Sequence, residues 1–184
     1  AFGLLALLEL QASRTAARTG PDGEPVLLQD QDRSRWDRAA IDRGMVALAR
    51  ALRLSPAPGS YALQAAIAAC HARAPSLDGT DWARIVALYD ALADQVPSPV
   101  VALNRAVAVS MHTGPADGLA LVDALVQAPA LRSYHLLPAV RGDMLHRLGR
   151  DDEARAEFLR AAEMTRNARE RDLLLARAGA PDPD

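Results

Sequence analysis

Apolar side chains recur along this chain at the three- and four-residue intervals of amphipathic helices. The stretch from residue 32 to residue 54 has the clearest pattern, because its two sides differ in polarity. One side carries Trp36, Ala40, Ile41, Met45, Leu48 and Leu52, and the other carries Arg38, Asp42, Arg43, Arg50 and Arg53. This division is typical of a helix with one buried and one solvated face. We predict a helix over about 32–54, ended by Pro56 and Pro58.

Similar spacing elsewhere predicts further helices, separated by turns rich in proline and glycine. The predicted helices cover about 2–18, 60–73, 98–112, 133–148 and 167–178, and others begin near Thr80, Pro115 and Asp151. Residues 24–31 are expected to be extended, either lying across helices or forming a lone strand. About nine helices and no second strand predict an all-α fold.

The order of small, aromatic and turn residues late in the chain resembles a tetratricopeptide repeat. The matching positions are Gly142, Leu145, Gly149, Ala154, Phe158 and Ala161, and Gly114 begins a weaker copy 35 residues before Gly149. Small residues at such positions let paired helices approach, and larger ones fill the gap to the next pair. We expect antiparallel helix pairs stacked as a degenerate tetratricopeptide-like right-handed superhelix. A flat helical bundle at the N-terminal end is the alternative.

The predicted domain organisation is one tetratricopeptide-like helical domain over 1–179. Its N-terminal helices occupy 1–58, the tetratricopeptide-like pairs occupy 59–179, and 180–184 form a loose tail. The helical pattern starts at Ala1 without a capping residue or a lead-in, which favours a fragment of a longer chain.

Composition narrows the functional classes. The net charge is −2 with a pI near 6.1, which argues against a free-standing nucleic-acid binder, so any contact with DNA is expected to be indirect. The single cysteine cannot form an internal disulfide and fits a reducing, cytoplasmic location. No apolar run approaches the roughly 18 residues of a membrane span, so no membrane partner is expected.

Candidate catalytic residues are few. None of the four histidines has the spacing of metal ligands, and His135 and His146 would lie roughly 16 Å apart along one helix. Cys70 and His71 suggest a nucleophile and a base, but adjacent helical residues point in different directions, so packing is the preferred interpretation. We therefore predict no enzymatic activity, no metal and no cofactor.

A dense charged stretch surrounds the first tryptophan. It comprises Asp30, Gln31, Asp32, Arg33, Ser34, Arg35, Trp36 and Asp37, and we call it the Asp30–Asp37 segment. If the helix begins at Asp32, this residue lies near Trp36 and caps the helix, while Arg33 lies near Asp37. Two interpretations stay open: a structural clamp on a neighbouring segment, or a docking surface for a partner.

Two amides lie within apolar stripes. Asn104 shares a predicted face with Val100, Val107 and Met111, and Gln64 lies among alanines. Buried amides need hydrogen-bond partners, so we expect both to fix the register between helices. The alternative is that both line a concave groove for a peptide.

Four blocks in one order carry a family resemblance: 30–37, 61–71, 98–108 and 134–139. Together they resemble the C-terminal tetratricopeptide-like extension of a group of bacterial extracytoplasmic-function (ECF) sigma factors. Sigma region 2 and region 4, the modules that read the promoter, are absent from the sequence. The resemblance implies that this chain is the extension alone.

The resemblance also implies a role in transcription initiation. The extension would dock on the sigma modules of its own polypeptide, or on RNA polymerase core, and regulate activity, with promoter DNA contacted only indirectly. The implied interaction residues are Asp30, Asp32, Arg33, Arg35, Trp36 and Asp37. Here Trp36 would anchor the contact, and its charged neighbours would make charge-assisted bonds.

Two other functions stay open at this point. One is a free-standing adaptor that binds a peptide, and a native chain that begins at Ala1 would favour it. The other is a small-molecule sensor or hydrolase with a polar pocket near Gln64, Cys70 and Asn104.

Overall fold

The computed structural model describes residues 1–55 and 57–179 of the 184-residue chain. Within these ranges the fold is all-α, as predicted. The helices are α1 (Phe2–Ala12), α2 (Arg38–Leu54), α3 (Ser60–Arg73), α4 (Trp82–Gln95), α5 (Pro99–His112), α6 (Pro115–Leu125), α7 (Leu136–Arg147), α8 (Asp151–Met164) and α9 (Ala168–Arg177). The described residues form no strand, and a single bridge joins Thr19 to Pro25. Pro56, a predicted helix terminator, and the predicted tail 180–184 lie outside the described residues.

Helices that follow one another in sequence pack as antiparallel pairs, within two compact units. The first unit, Ala1–Pro97, contains α1 to α4, and the second begins at Ser98 and contains α5 to α9. Helix α3 packs against α1 and α2, so it belongs with the N-terminal helices. The predicted single domain over 1–179, with its internal division at residue 58, stays a prediction. The superhelical stacking and its handedness stay a prediction.

Small residues bring the helices of the first unit together. A Cβ atom added to Gly44 of α2 would lie 2.7 Å from Leu10 Cγ of α1, and one added to Gly3 would lie 2.9 Å from the Ala62 nitrogen of α3. Helix α3 is buried along most of its length, as its alanine-rich sequence predicts. The resulting core combines these alanines with Leu10, Ile41 and Leu48.

The tetratricopeptide-like residues meet where α7 packs against α8. A Cβ atom on Gly142 would lie 2.8 Å from Phe158 Cε1, so only glycine fits the ring at this distance. Ala154 and Ala161 are buried on the facing side of α8. Gly149 adopts a φ of +71° in the intervening turn, a conformation that glycine tolerates best. The helix pair predicted from these residues is confirmed.

Candidate docking site at the Asp30–Asp37 segment

The Asp30–Asp37 segment is not the start of a helix. It contains parts of two short 3₁₀ turns, Leu28–Asp30 and Arg33–Arg35, and α2 begins only at Arg38. The prediction of a helix from Asp32 is therefore wrong, and so is the proximity it implied between Arg33 and Asp37 on one helical face.

Two aspartates explain the late start of the helix. The Asp32 carboxylate accepts a hydrogen bond from the Ser34 nitrogen at 2.9 Å and caps the 3₁₀ turn. The Asp37 carboxylate accepts one from the Ala40 nitrogen at 3.1 Å and caps α2. Between them Trp36 has an extended backbone, with φ −76° and ψ 135°. Aspartate side chains compete well for backbone N–H groups in this way, so the chain turns twice before it becomes helical.

The two turns sort the segment into an inward and an outward face. Gln31, Arg33 and Trp36 are buried, whereas the remaining charged side chains are exposed. The exposed members are Asp30, Asp32, Arg35 and Asp37. Hydrogen bonding from Ser34 lowers the pKa of Asp32, so this carboxylate stays charged in neutral solution. Both interpretations of the sequence thus have structural counterparts: a clamp on the inward face and a charged surface on the outward face.

Arg33 forms the clamp. Its Nη1 donates to the carbonyl oxygens of His71 at 2.9 Å and Ala74 at 2.8 Å, at the C-terminal end of α3. Its Nη2 donates to Thr80 Oγ1 at 3.1 Å, in the loop before α4. The last carbonyls of a helix lack partners within the helix and carry its negative dipole, so a guanidinium is well suited to satisfy them. Arg33 therefore ties the segment to two elements that lie 38 to 47 residues further along the chain.

Trp36 lies inside the first unit, with 3% of its surface exposed. The guanidinium carbons of Arg14 and Arg33 each lie 5.3 Å from its ring centroid, which is cation–π distance. Its Nε1 is buried without a hydrogen-bond partner among the described residues. The ring is enclosed by its own chain and does not reach the surface, where the sequence analysis placed it as an anchor for a partner.

Sequence reasoning missed two residues that complete this cluster, Ser13 and Arg14. Arg14 Nε donates to Gln31 Oε1 at 3.2 Å, and Gln31 Nε2 donates to the Val26 carbonyl at 3.1 Å. The Ser13 carbonyl accepts from the Asp37 nitrogen at 2.9 Å. Burial, with smaller effects from Arg18 and Arg33, lowers the pKa of Arg14 to about 10. Ser13 and Arg14 follow α1, where nothing in the local pattern relates them to partners 17 or more residues away.

His71 lies beside the same cluster and is 7% exposed. Its ring makes an edge contact with Trp82, at 5.3 Å between centroids. Burial, aided by the nearby charges of Arg14 and Arg33, lowers the pKa of His71 to about 4. Burial also raises the pKa of the Cys70 thiol. Both side chains are therefore neutral at pH 7, which gives this pair neither a thiolate nor an imidazolium.

The two amides predicted to fix the register between helices differ in burial, and the register role stays a prediction. Asn104 is exposed on α5, so its predicted burial is wrong: the buried side of α5 runs through Leu103, Ala106 and Ser110. Gln64 is partly buried on α3. The apolar residues on its predicted face, Val100, Val107 and Met111, are themselves only partly buried or exposed, so that stripe is not the buried side of α5.

The described residues bring no three histidine, cysteine or acidic side chains together in a way that could hold a metal ion. Among the described helices, none combines the length and the apolar character needed to cross a bilayer.

Comparisons with known proteins find a family model that covers the segment. Residues 1–52, which include the whole Asp30–Asp37 segment, match a family of unknown function, DUF6596. A protein of Rhizobium meliloti (strain 1021), described as uncharacterized, is 48% identical over 169 residues. The match covers 92% of this chain and 39% of that relative. The chain therefore spans well under half the length of this relative.

Proposed function

We propose that this chain is the regulatory C-terminal extension of an ECF sigma factor. It acts in transcription initiation by docking on the sigma modules of its own polypeptide or on RNA polymerase core. Four sequence blocks in one order support the proposal, and the greater length of the Rhizobium meliloti relative is compatible with it. No catalytic residue, metal or cofactor takes part in the proposed activity.

The observation that carries the proposal is the division of the Asp30–Asp37 segment into two faces. The inward residues Arg33 and Trp36 fix the backbone of the segment against α3 and the core. That fixation holds the backbone from which the exposed side chains of Asp30 and Arg35 project. Preorganised charged groups lose less conformational entropy on binding than mobile ones, so such a surface favours a specific partner.

The docking mechanism follows from this division. The exposed carboxylates and the Arg35 guanidinium form charge-assisted hydrogen bonds with groups of opposite charge on the sigma modules or the polymerase. Trp36 contributes indirectly, because it positions the backbone that presents them. Asp32 and Asp37 have a second task as caps, so their replacement changes the fold as well as the surface.

The test uses the double variant Asp30→Ala, Arg35→Ala in the full-length polypeptide. We expect transcription from a cognate reporter to fall about tenfold, the loss of roughly 1.4 kcal/mol of interaction free energy. The thermal midpoint of the 184-residue chain should change little, since both side chains are exposed. Arg132→Ala, an exposed arginine of the second unit, is the matched control and should leave transcription unchanged.

Two results would contradict the proposal. One is unchanged reporter transcription in the double variant, with polymerase and sigma modules present. The other is a gene whose reading frame opens at Ala1 and encodes no sigma regions, which would favour the free-standing peptide-binding adaptor.

A further inference from the structure

Helix α1 is largely apolar, although only part of it is covered. Ala6 and Leu10 are buried against the neighbouring helices, and Gly3 approaches α3. On the opposite side Leu4, Leu5 and Leu8 are 40%, 46% and 59% exposed. We call this side, with Ala1 and Ala12, the outer face of α1. Glu9 is the helix's single charged residue and lies at the edge of that face.

An outer face of this composition is unusual for a solvated helix. Scattered exposed leucines are common, but three within five residues on one helical side make a contiguous patch. A helix that is hydrophobic all round normally lies within a core. By contrast α2, which packs on α1, presents Asp42, Arg43 and Arg50 to solvent, as an amphipathic helix should.

The apolar surface continues into a groove of about 480 Å³ between α1 and α2. Phe2, Leu5, Val46 and Ala47 contribute apolar surface, and Val46 is 70% exposed. The remaining lining residues are charged: Glu9, Asp42, Arg43 and Arg50. The groove is therefore an apolar floor with a charged rim.

Three of the rim side chains make contacts of their own: Arg43 pairs with Glu9, and Arg50 lies over Phe2. Arg43 Nε and Nη2 donate to both carboxylate oxygens of Glu9 at 2.8 to 3.1 Å, in a bidentate pair. The Arg50 guanidinium stacks over the Phe2 ring, at 4.1 Å from its centroid. These contacts leave the leucines and Val46 open to a visiting side chain. The positive Arg50 guanidinium lies near the start of α1, and the negative Asp42 lies near its end.

We propose that the outer face of α1 and this groove receive an amphipathic helix from the part of the polypeptide that carries the sigma modules. The inference rests on the proposed function and assigns the docking contact a second surface, apart from the Asp30–Asp37 segment. The Rhizobium meliloti relative is matched over 39% of its length, so a polypeptide of this kind has ample chain outside the matched region to supply such a helix. Charge complementarity orients it, with an acidic residue facing Arg50 and a basic residue facing Asp42.

The expected contact is a helix pair like those inside each unit. Leucine and alanine side chains of the incoming helix, spaced three and four residues apart, would interdigitate with Leu4, Leu5 and Leu8. Occupation would bury the three leucines, which removes the exposed patch from water.

Thiol accessibility tests the inference. Leu8→Cys is prepared in the 184-residue chain and in the full-length polypeptide, and each is labelled with a water-soluble maleimide. We expect labelling to be at least tenfold slower in the full-length polypeptide, because the incoming helix covers residue 8. Leu136→Cys, at a 42% exposed leucine of the second unit, is the matched control and should label at the same rate in both. The unsubstituted proteins give the background from buried Cys70.

Equal labelling of Leu8→Cys in the two proteins would overturn the inference. Slow labelling that depends on concentration in the 184-residue chain, with a dimer in sedimentation velocity, would overturn it as well, since a second copy would then be the occupant. The proposed function fails separately, when the Asp30 and Arg35 variant transcribes normally. Protection of residue 8 in a full-length polypeptide that lacks sigma regions would sink the proposed function and the assigned source of the helix together.

Discussion

Both units pack their helices closely at glycine, but their long-range polar contacts differ in burial. In the second unit, α7 and α8 meet directly through Gly142, Phe158 and Ala154, which lie within 16 residues of one another. In the first unit, a non-helical segment joins elements far apart in sequence through Arg33, and Trp36 fills the space beside it. Glycine lets helices approach closely in both units, but the long-range hydrogen bonds of Arg33 are buried, whereas those of Arg147 and Arg177 in the second unit are only partly buried. The difference predicts where each unit is most sensitive to change.

The largest effect is expected at Trp36 in the first unit. Trp36→Ala would leave a cavity in the core and remove the ring that Arg14 and Arg33 contact. We expect the free energy of unfolding to fall by about 3–5 kcal/mol. Urea denaturation of the 184-residue chain, followed by circular dichroism, measures this change. Trp36→Phe keeps most of the aromatic volume and should lose much less. A cost below about 1 kcal/mol for the alanine variant would mean that the segment does not support the first unit.

The next effect is a pH dependence that comes from His71. Its pKa of about 4 in the folded chain lies below the ordinary value of 6.5, so the unfolded chain binds the proton more readily between these pH values. The free energy of unfolding should therefore fall as pH drops from about 6.5 to 4, by about 3 kcal/mol. His71→Leu should remove that part of the pH dependence, as measured by urea denaturation at a series of pH values. Exposed His112 supplies the control: a curve for His112→Gln that lost the same dependence would contradict the assignment to His71.

A smaller effect is expected from Gly142 in the second unit. In Gly142→Ala, the added methyl group would lie 2.8 Å from Phe158 Cε1 and 3.2 Å from the Ala154 carbonyl oxygen, so α7 and α8 must separate. We expect a loss of about 1–3 kcal/mol. Gly59→Ala is a matched control, because a Cβ atom there meets nothing within 4 Å. Equal effects of the two substitutions on the thermal midpoint would show that the close contact at Gly142 does not account for the loss of stability.

The helices were predictable wherever local pattern determines them. Ser98 and Pro99 predict the start of α5, and the Ser98 hydroxyl accepts the capping bond from the Val100 nitrogen at 3.3 Å. Gly142 and Phe158 predict the α7 and α8 pair because their spacing encodes a contact between neighbouring helices. Such features depend on residues that are close in sequence, so a periodic pattern contains the information they require.

The docking segment was predictable only in outline. Its charge density indicated a clamp or a docking surface. The side to which each residue points, however, depends on the two aspartate caps at Asp32 and Asp37. The partners of Arg33 are two backbone carbonyls and a threonine, and a sequence pattern cannot identify backbone carbonyls as partners. The predicted burial of Asn104 failed for a related reason, since an apolar stripe does not state which of its sides another helix will cover.

Both tryptophans of the chain, Trp36 and Trp82, belong to the first unit. Tryptophan emission, excited selectively at the red edge of the absorption band, therefore monitors that unit, whereas backbone ellipticity averages over both. If the units melt independently, the two optical signals will show different transitions on heating. The difference between their thermal midpoints then compares the two units without any label. Because of the positions of its two indole rings, the unmodified protein shows whether its two units unfold together.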